Sequence, residues 1–161
     1  MHAKVFQISK TRVDKDNTLN EYTLAQGDGS LYDYCSEISD ETRTEMIDCL
    51  VNQLLPEGMF VLVAPDEIVY QGGANEWKKE WVKNIHEKAM EITTENVLDW
   101  IGPSYRLEQE LKNPLHTYSH FYLSEDNYQC YAEQSAELME MVCSLSVGDH
   151  LYIGGVIDFH F

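Results

Sequence analysis

His150-Leu151-Tyr152-Ile153-Gly154-Gly155-Val156-Ile157-Asp158-Phe159-His160-Phe161 occupies the last twelve positions of the sequence, and its reading decides how the sheet is built. β-branched and aromatic residues on both sides of the glycine pair mark strands. Two adjacent glycines tolerate the positive φ angles of a two-residue turn, which predicts a C-terminal β-hairpin about Gly154-Gly155 with Ile153 opposite Val156. In that register Asp149 lies opposite His160. The other reading is one bulged strand whose glycines mark a close backbone approach.

Val147-Gly148-Asp149 turns the chain into this segment. Ahead of it, Tyr131 to Leu145 is predicted to be helical with Leu138, Met141, Val142 and Leu145 inward. Thr117 to Leu123 reads as a strand, and Tyr105 to Leu111 fits either strand or helix. Gly72-Gly73 breaks the chain before the longest helix, roughly Glu76 to Ile92 with Asn75 as cap. On it Trp77, Trp81, Ile85 and Ala89 share a face at i, i+4 spacing. A short helix is expected from Thr94 to Gly102-Pro103. Upstream, Met59 to Val63 and Glu67 to Gln71 form a hairpin about Ala64-Pro65-Asp66. Ser39 and Asp40 cap a helix to about Leu55 whose core stripe is Met46, Ile47, Leu50, Val51 and Leu54. Val5 to Ile8 is a strand, Thr11 to Ser30 a polar loop or irregular hairpin, and Leu31 to Ile38 ambiguous. The elements alternate without a βαβ rhythm, which predicts an α+β fold with a largely antiparallel sheet and about four helices. No repeat or linker divides residues 1–161, so one domain is expected.

Charge is distributed unevenly. The net charge is −17, and between Asp16 and Trp77 Arg43 is the lone basic residue against thirteen acids. From Asn113 to Phe161 there is no Lys or Arg against seven acids. Such a surface repels nucleic acid and anionic membranes and attracts basic proteins. No secretory signal follows Met1, and the longest apolar run, Met59 to Ala64, is too short to cross a bilayer, so a cytoplasmic protein is expected. Cys35, Cys49, Cys130 and Cys143 show no CxxC pairing and read as reduced intracellular thiols, mostly in or near the core.

The acids fall in rows. Glu41, Glu45 and Asp48 share one face of the first long helix, and Glu133, Glu137 and Glu140 repeat that spacing on the last. Neither row has a Lys or Arg three or four residues away, although like charges at this spacing destabilise a helix by about 0.2–0.5 kcal/mol per pair. The Trp-rich helix differs, because along Glu76, Glu80, Lys83 and Glu87 a cation interrupts the acids and can pair with its neighbours. Carboxylates one turn apart stand about 5–6 Å from each other. That is near the spacing of successive phosphates on one strand of B-DNA, given one charge per about 1.7 Å over both strands. The six residues are therefore the candidate partner-binding surface of a small, non-enzymatic, DNA-mimic-like inhibitor of a basic, nucleic-acid-binding protein. Small intracellular inhibitors carried by phages and mobile elements are the analogous class. Asp14, Asp16, Glu21 and Asp28 are secondary candidates. A plain solvated helix face is the competing reading.

The histidines offer an alternative. His116 and His120 share a face at i, i+4, and Asp158 lies two residues from His160, so these four could form a metal site or the centre of a small enzyme. No HExxH or Cys-His spacing accompanies them, no GxSxG or phosphate loop occurs, and no cofactor is implied. A third reading is an accessory subunit that presents Tyr118, Phe121 and Tyr122. Trp77 and Trp81 are expected in the core, since a stacking platform for nucleic acid needs the missing cations.

Overall fold

The computed structural model describes residues 1–125 and 128–161. Among these residues six strands form one sheet: β1 (His2–Ser9), β2 (Tyr34–Glu37), β3 (Phe60–Ala64), β4 (Glu67–Tyr70), β5 (His120–Tyr122) and β6 (His150–His160). Four α-helices of the described residues accompany it: α1 (Asp40–Cys49), α2 (Ala74–Met90), α3 (Pro103–Lys112) and α4 (Ser135–Cys143). The order across the sheet is β3-β4-β6-β1-β5, with β2 also paired to β6. Every pairing is antiparallel except β1 with β5. The expected α+β class and single domain are what the chain forms.

The C-terminal hairpin does not form. β6 is one strand, and neither Gly154 nor Gly155 takes the positive φ that a two-residue turn requires. Phe6 pairs with Val156 and Ile8 with Ile153, so Gln7 alone faces both glycines in a β-bulge. The glycines are needed for close approach: a Cβ on Gly155 would stand 2.0 Å from the Leu19 carbonyl oxygen, and one on Gly154 2.2 Å from Gln7 Oε1. Gln7 satisfies the bulge, its Oε1 accepting from the Leu19 N–H at 2.8 Å and the Gly155 N–H at 2.9 Å. Its Nε2 donates to the Asn17 carbonyl at 2.8 Å.

The bulge also inverts the alternation of side chains along β6. Leu151, Ile153 and Val156 join a core with Phe6, Ile8 and Phe121 on one side of the sheet, under the helices. Ile157 and Phe159 join a second core on the other side, where Leu19, Leu24 and Tyr32 of the long loop 10–33 cover Val5 and Tyr122. One strand thereby serves two cores.

β4 and β2 lie along the same edge of β6, pairing with residues 150–152 and 157–160, and leave a gap between them. Arg43 of α1 closes the gap, donating to the carbonyls of Ile153 at 3.0 Å and Gly154 at 2.7 Å. α1 starts where the Ser39 side chain accepts from the Thr42 N–H at 3.2 Å and passes into a π-helical turn, Leu50–Leu54, before Pro56. The short helix expected after Thr94 is instead a run of turns, pinned by Asn96 Oδ1 on the Thr93 N–H at 2.9 Å. The ambiguous stretch 105–111 lies within α3.

Candidate functional site on the helical face

α1 buries Ile47 and α4 buries Leu138, Met139 and Val142 in the same core on the same side of the sheet. Their opposite sides therefore both face outward on that side of the molecule. Glu41, Glu45 and Asp48 are exposed on α1, and Glu137 and Glu140 lie on the outer side of α4. Among the described residues no ion pair reaches any of these five. Asp48 accepts one neutral hydrogen bond, from Asn52 Nδ2 at 2.8 Å. Arg43, the cation of α1 itself, is taken up by the carbonyls of β6.

Glu133 does not extend the second row. α4 begins at Ser135, and Glu133 instead exchanges backbone hydrogen bonds of 2.8 Å with Phe121 in an antiparallel bridge. Its carboxylate accepts from Gln129 Nε2 at 3.0 Å. Pairing with β5 outcompetes the extra helical turn that local spacing suggested. The ion pairs expected within the Trp-rich helix reduce to Lys83 with Glu80 at 3.4 Å. The others near it tie α2 and its end to α3: Arg106 with Glu91 at 2.7 Å and Lys88 with Glu110 at 3.6 Å.

Beside Glu137 and Glu140 lies a groove of about 360 Å³ between α2 and α4. Trp77 and Trp81 line it, their rings stacked at 5.1 Å with 26° between planes, and Met139 and Lys78 also border it. Trp81 Nε1 donates to the Glu110 carbonyl at 3.2 Å, which fixes the second indole. Both tryptophans are only half-buried, so the expectation that they lie in the core holds in part. The i, i+4 spacing identified the stripe, but nothing in it revealed that α4 would leave a groove along its flank.

The secondary acids do not enlarge this face. Asp14, Asp16, Glu21 and Asp28 sit on the loop that covers the opposite side of the sheet. The four histidine-cluster residues are not brought together either. His116 Nε2 meets Glu110 Oε2 at 2.8 Å, whereas His120 is buried with Nδ1 at 3.0 Å from the Tyr32 hydroxyl. Asp158 binds Lys4 and His2, and His160 Nδ1 meets Asp33 at 2.8 Å. Asp149 precedes β6, at the opposite end of the strand from His160, and accepts the Ser146 N–H at 2.8 Å. Among the described residues no group of three or more His, Cys, Asp or Glu is placed to hold a metal.

Of the aromatic trio, Tyr118 is exposed but Phe121 and Tyr122 are wholly buried, because β5 lies between the two cores. Unforeseen from the sequence is an apolar knuckle between α2 and α3, where Leu98 is 94% and Trp100 91% exposed. Burial pushes the Cys35 thiol up to about 11 and raises Cys143, against the requirements of a nucleophile. Among the described residues no helix is long and apolar enough to cross a membrane. In comparisons with known proteins, no family model, curated protein or solved structure matches the chain.

Proposed function

We propose that this protein is a non-enzymatic acidic docking protein of the cytoplasm. It binds a basic, nucleic-acid-binding protein through the outer faces of α1 and α4 and occupies the cationic groove of that partner. The observation that carries the reading is the groove where stacked Trp77 and Trp81 adjoin the carboxylates of Glu137 and Glu140, which make no ion pair among the described residues. An arginine or lysine entering it lays its stem along the indoles and its charge against the carboxylates. A cation over an indole contributes about 0.5–2 kcal/mol, more as water leaves. The row on α1 adds long-range attraction, which speeds encounter and falls with salt.

A direct test titrates the protein with an arginine-rich peptide and follows tryptophan fluorescence in a Trp100→Phe background. Saturable binding that weakens at least about tenfold between about 0.05 and 0.3 M NaCl is expected. Glu137→Lys with Glu140→Lys abolishes it, and reversal of Glu41, Glu45 and Asp48 weakens it. Reversal of Asp14 and Asp16, on the far side of the sheet, leaves it intact. Equal affinity and salt slope in all variants sinks the proposal.

A second reading, a small enzyme, is favoured by one specific feature. His116 holds a positive φ of 51° and leans on Glu110, whose side chain is 1% exposed and whose Oε1 is buried without a hydrogen bond among the described residues. A carboxylate-oriented imidazole is the arrangement of a general base. Loss of a measured turnover in both His116→Asn and Glu110→Gln, with the fold retained, would favour this reading over docking.

A further inference from the structure

Among the described residues the sheet has three outer strands, and two of them carry a contact on the far side. The far side of β5 is closed by the Phe121–Glu133 bridge, and the Cys35 N–H of β2 is capped by Gln26 Oε1 at 2.5 Å. β3 pairs with β4 on one side and with none of the described residues on the other. Its residues Val61, Leu62 and Val63 are 44%, 40% and 54% exposed. No charged residue occurs from Met59 to Ala64. Natural edge strands are commonly shielded by lysine, proline or inward charge. Here the shielding is limited to a register shift near Val63 and to Pro65 in the following turn.

We infer that β3 pairs antiparallel with β3 of a second copy of this chain, joining two sheets across a two-fold axis at Leu62. The open backbone of β3 calls for an extended strand, and an apolar surface alone would not specify that. The side chains then select the copy. Val61-Leu62-Val63 reads the same in both directions, so an isologous antiparallel pair sets Val61 of each chain against Val63 of the other. Val69, cross-strand from Val61, widens the apolar strip. The segment is neutral, so a basic peptide has no charge to recognise there. Glu67 is occupied by Arg12 at 2.5 Å and His150 at 2.5 Å, and the flanking Glu57 and Asp66, beyond the paired residues, make no ion pair among the described residues. Repulsion between two strongly negative chains opposes the pairing, so salt strengthens it. That sign is opposite to the one expected for docking of a basic partner, and the two proposals can fail separately.

Sedimentation velocity of the full chain, from about 5 to 500 µM in about 0.05 and 0.5 M NaCl, tests the inference. The weight-average mass should climb from one chain toward two, with the climb beginning at lower concentration in high salt. Hydrogen exchange of the wild-type protein should slow at β3 amides as concentration rises, while amides of β4 stay unchanged. Val61→Lys and Val63→Lys should each hold the mass at one chain with the circular dichroism spectrum retained. A monomer at the highest concentration in both salts overturns the inference. So does a dimer indifferent to both variants and without β3 protection, or a mass that grows past two chains.

Discussion

His120 links the fold to pH through burial alone. It stacks on Phe159 with ring centroids 5.0 Å apart, and desolvation holds its pKa below the ordinary imidazole value of 6.5. The folded state keeps this ring neutral, whereas the unfolded chain takes up a proton as pH falls through about 6.5. Its contribution is therefore complete above that pH and is lost on acidification toward the folded pKa. Two carboxylates act in the same direction at lower pH. Burial opposes ionisation of Asp158, but the hydrogen bonds from Lys4 and His2 outweigh it and hold its pKa down. Glu67 is held down first by the His150 hydrogen bond, against a smaller opposing effect of burial, and then by Arg12. Their contributions are complete above the ordinary carboxylate range near about 4 and fade below it. The urea midpoint should accordingly drop in two stages, one beginning beneath pH about 6.5 and one beneath about 4. His120→Asn should flatten the first stage and leave the second. Parallel curves for the two proteins would remove His120 as the source.

At the scale of elements, β6 separates what local sequence encodes from what it does not. The Ser39 cap, the β3–β4 hairpin and the inward stripe of α1 follow from neighbours within a few residues, and each was legible. A Gly-Gly hairpin and a Gly-Gly bulge present the same local pattern of apolar residues around two glycines. The difference lies in Gln7 and Leu19, far away in the chain, which close on the glycines only once it has folded. Glu133 escapes local spacing for the same reason, since its bridge to Phe121 is non-local. The bulge makes the two glycines unequal. A methyl at position 155 would meet the Leu19 backbone oxygen, which has no rotamer to escape into. At position 154 it meets the end of a side chain, whose displacement strips acceptors from the Leu19 and Gly155 N–H groups. Gly154→Ala should cost about 1–3 kcal/mol for each donor so orphaned. Gly155→Ala should exceed about 4 kcal/mol and abolish a cooperative melt. Thermal and urea unfolding of both proteins give the order directly, and a wild-type melt for Gly155→Ala would mean that the glycines are not tightly enclosed.

Over the whole molecule, the acidic faces work against the fold that carries them. A net charge of −17 repels itself, and several of the cations are committed elsewhere: Arg43 to a strand gap, Lys4 to Asp158, Arg106 and Lys88 to the α2–α3 pair. Glu41, Glu45 and Asp48 thus stand one turn apart without an ion pair to any described residue, at about 0.2–0.5 kcal/mol of repulsion per neighbouring pair. Neutralising the row with the triple change Glu41→Gln, Glu45→Gln and Asp48→Asn should stabilise the protein by about 0.5–1 kcal/mol. For a chain of this size that raises Tm by about 1–4 °C. Sodium chloride should raise the wild-type Tm between about 0.02 and 0.5 M, and should do so less in the triple variant, because part of the repulsion that salt screens has been removed. The same variant should bind the arginine-rich peptide more weakly. Stability gained together with binding lost is the pattern of a surface kept for recognition at the expense of the fold. A merely solvated face yields the gain in Tm without the loss in binding, and a row that supports the helix yields a lower Tm, so one variant measured in two assays separates the three.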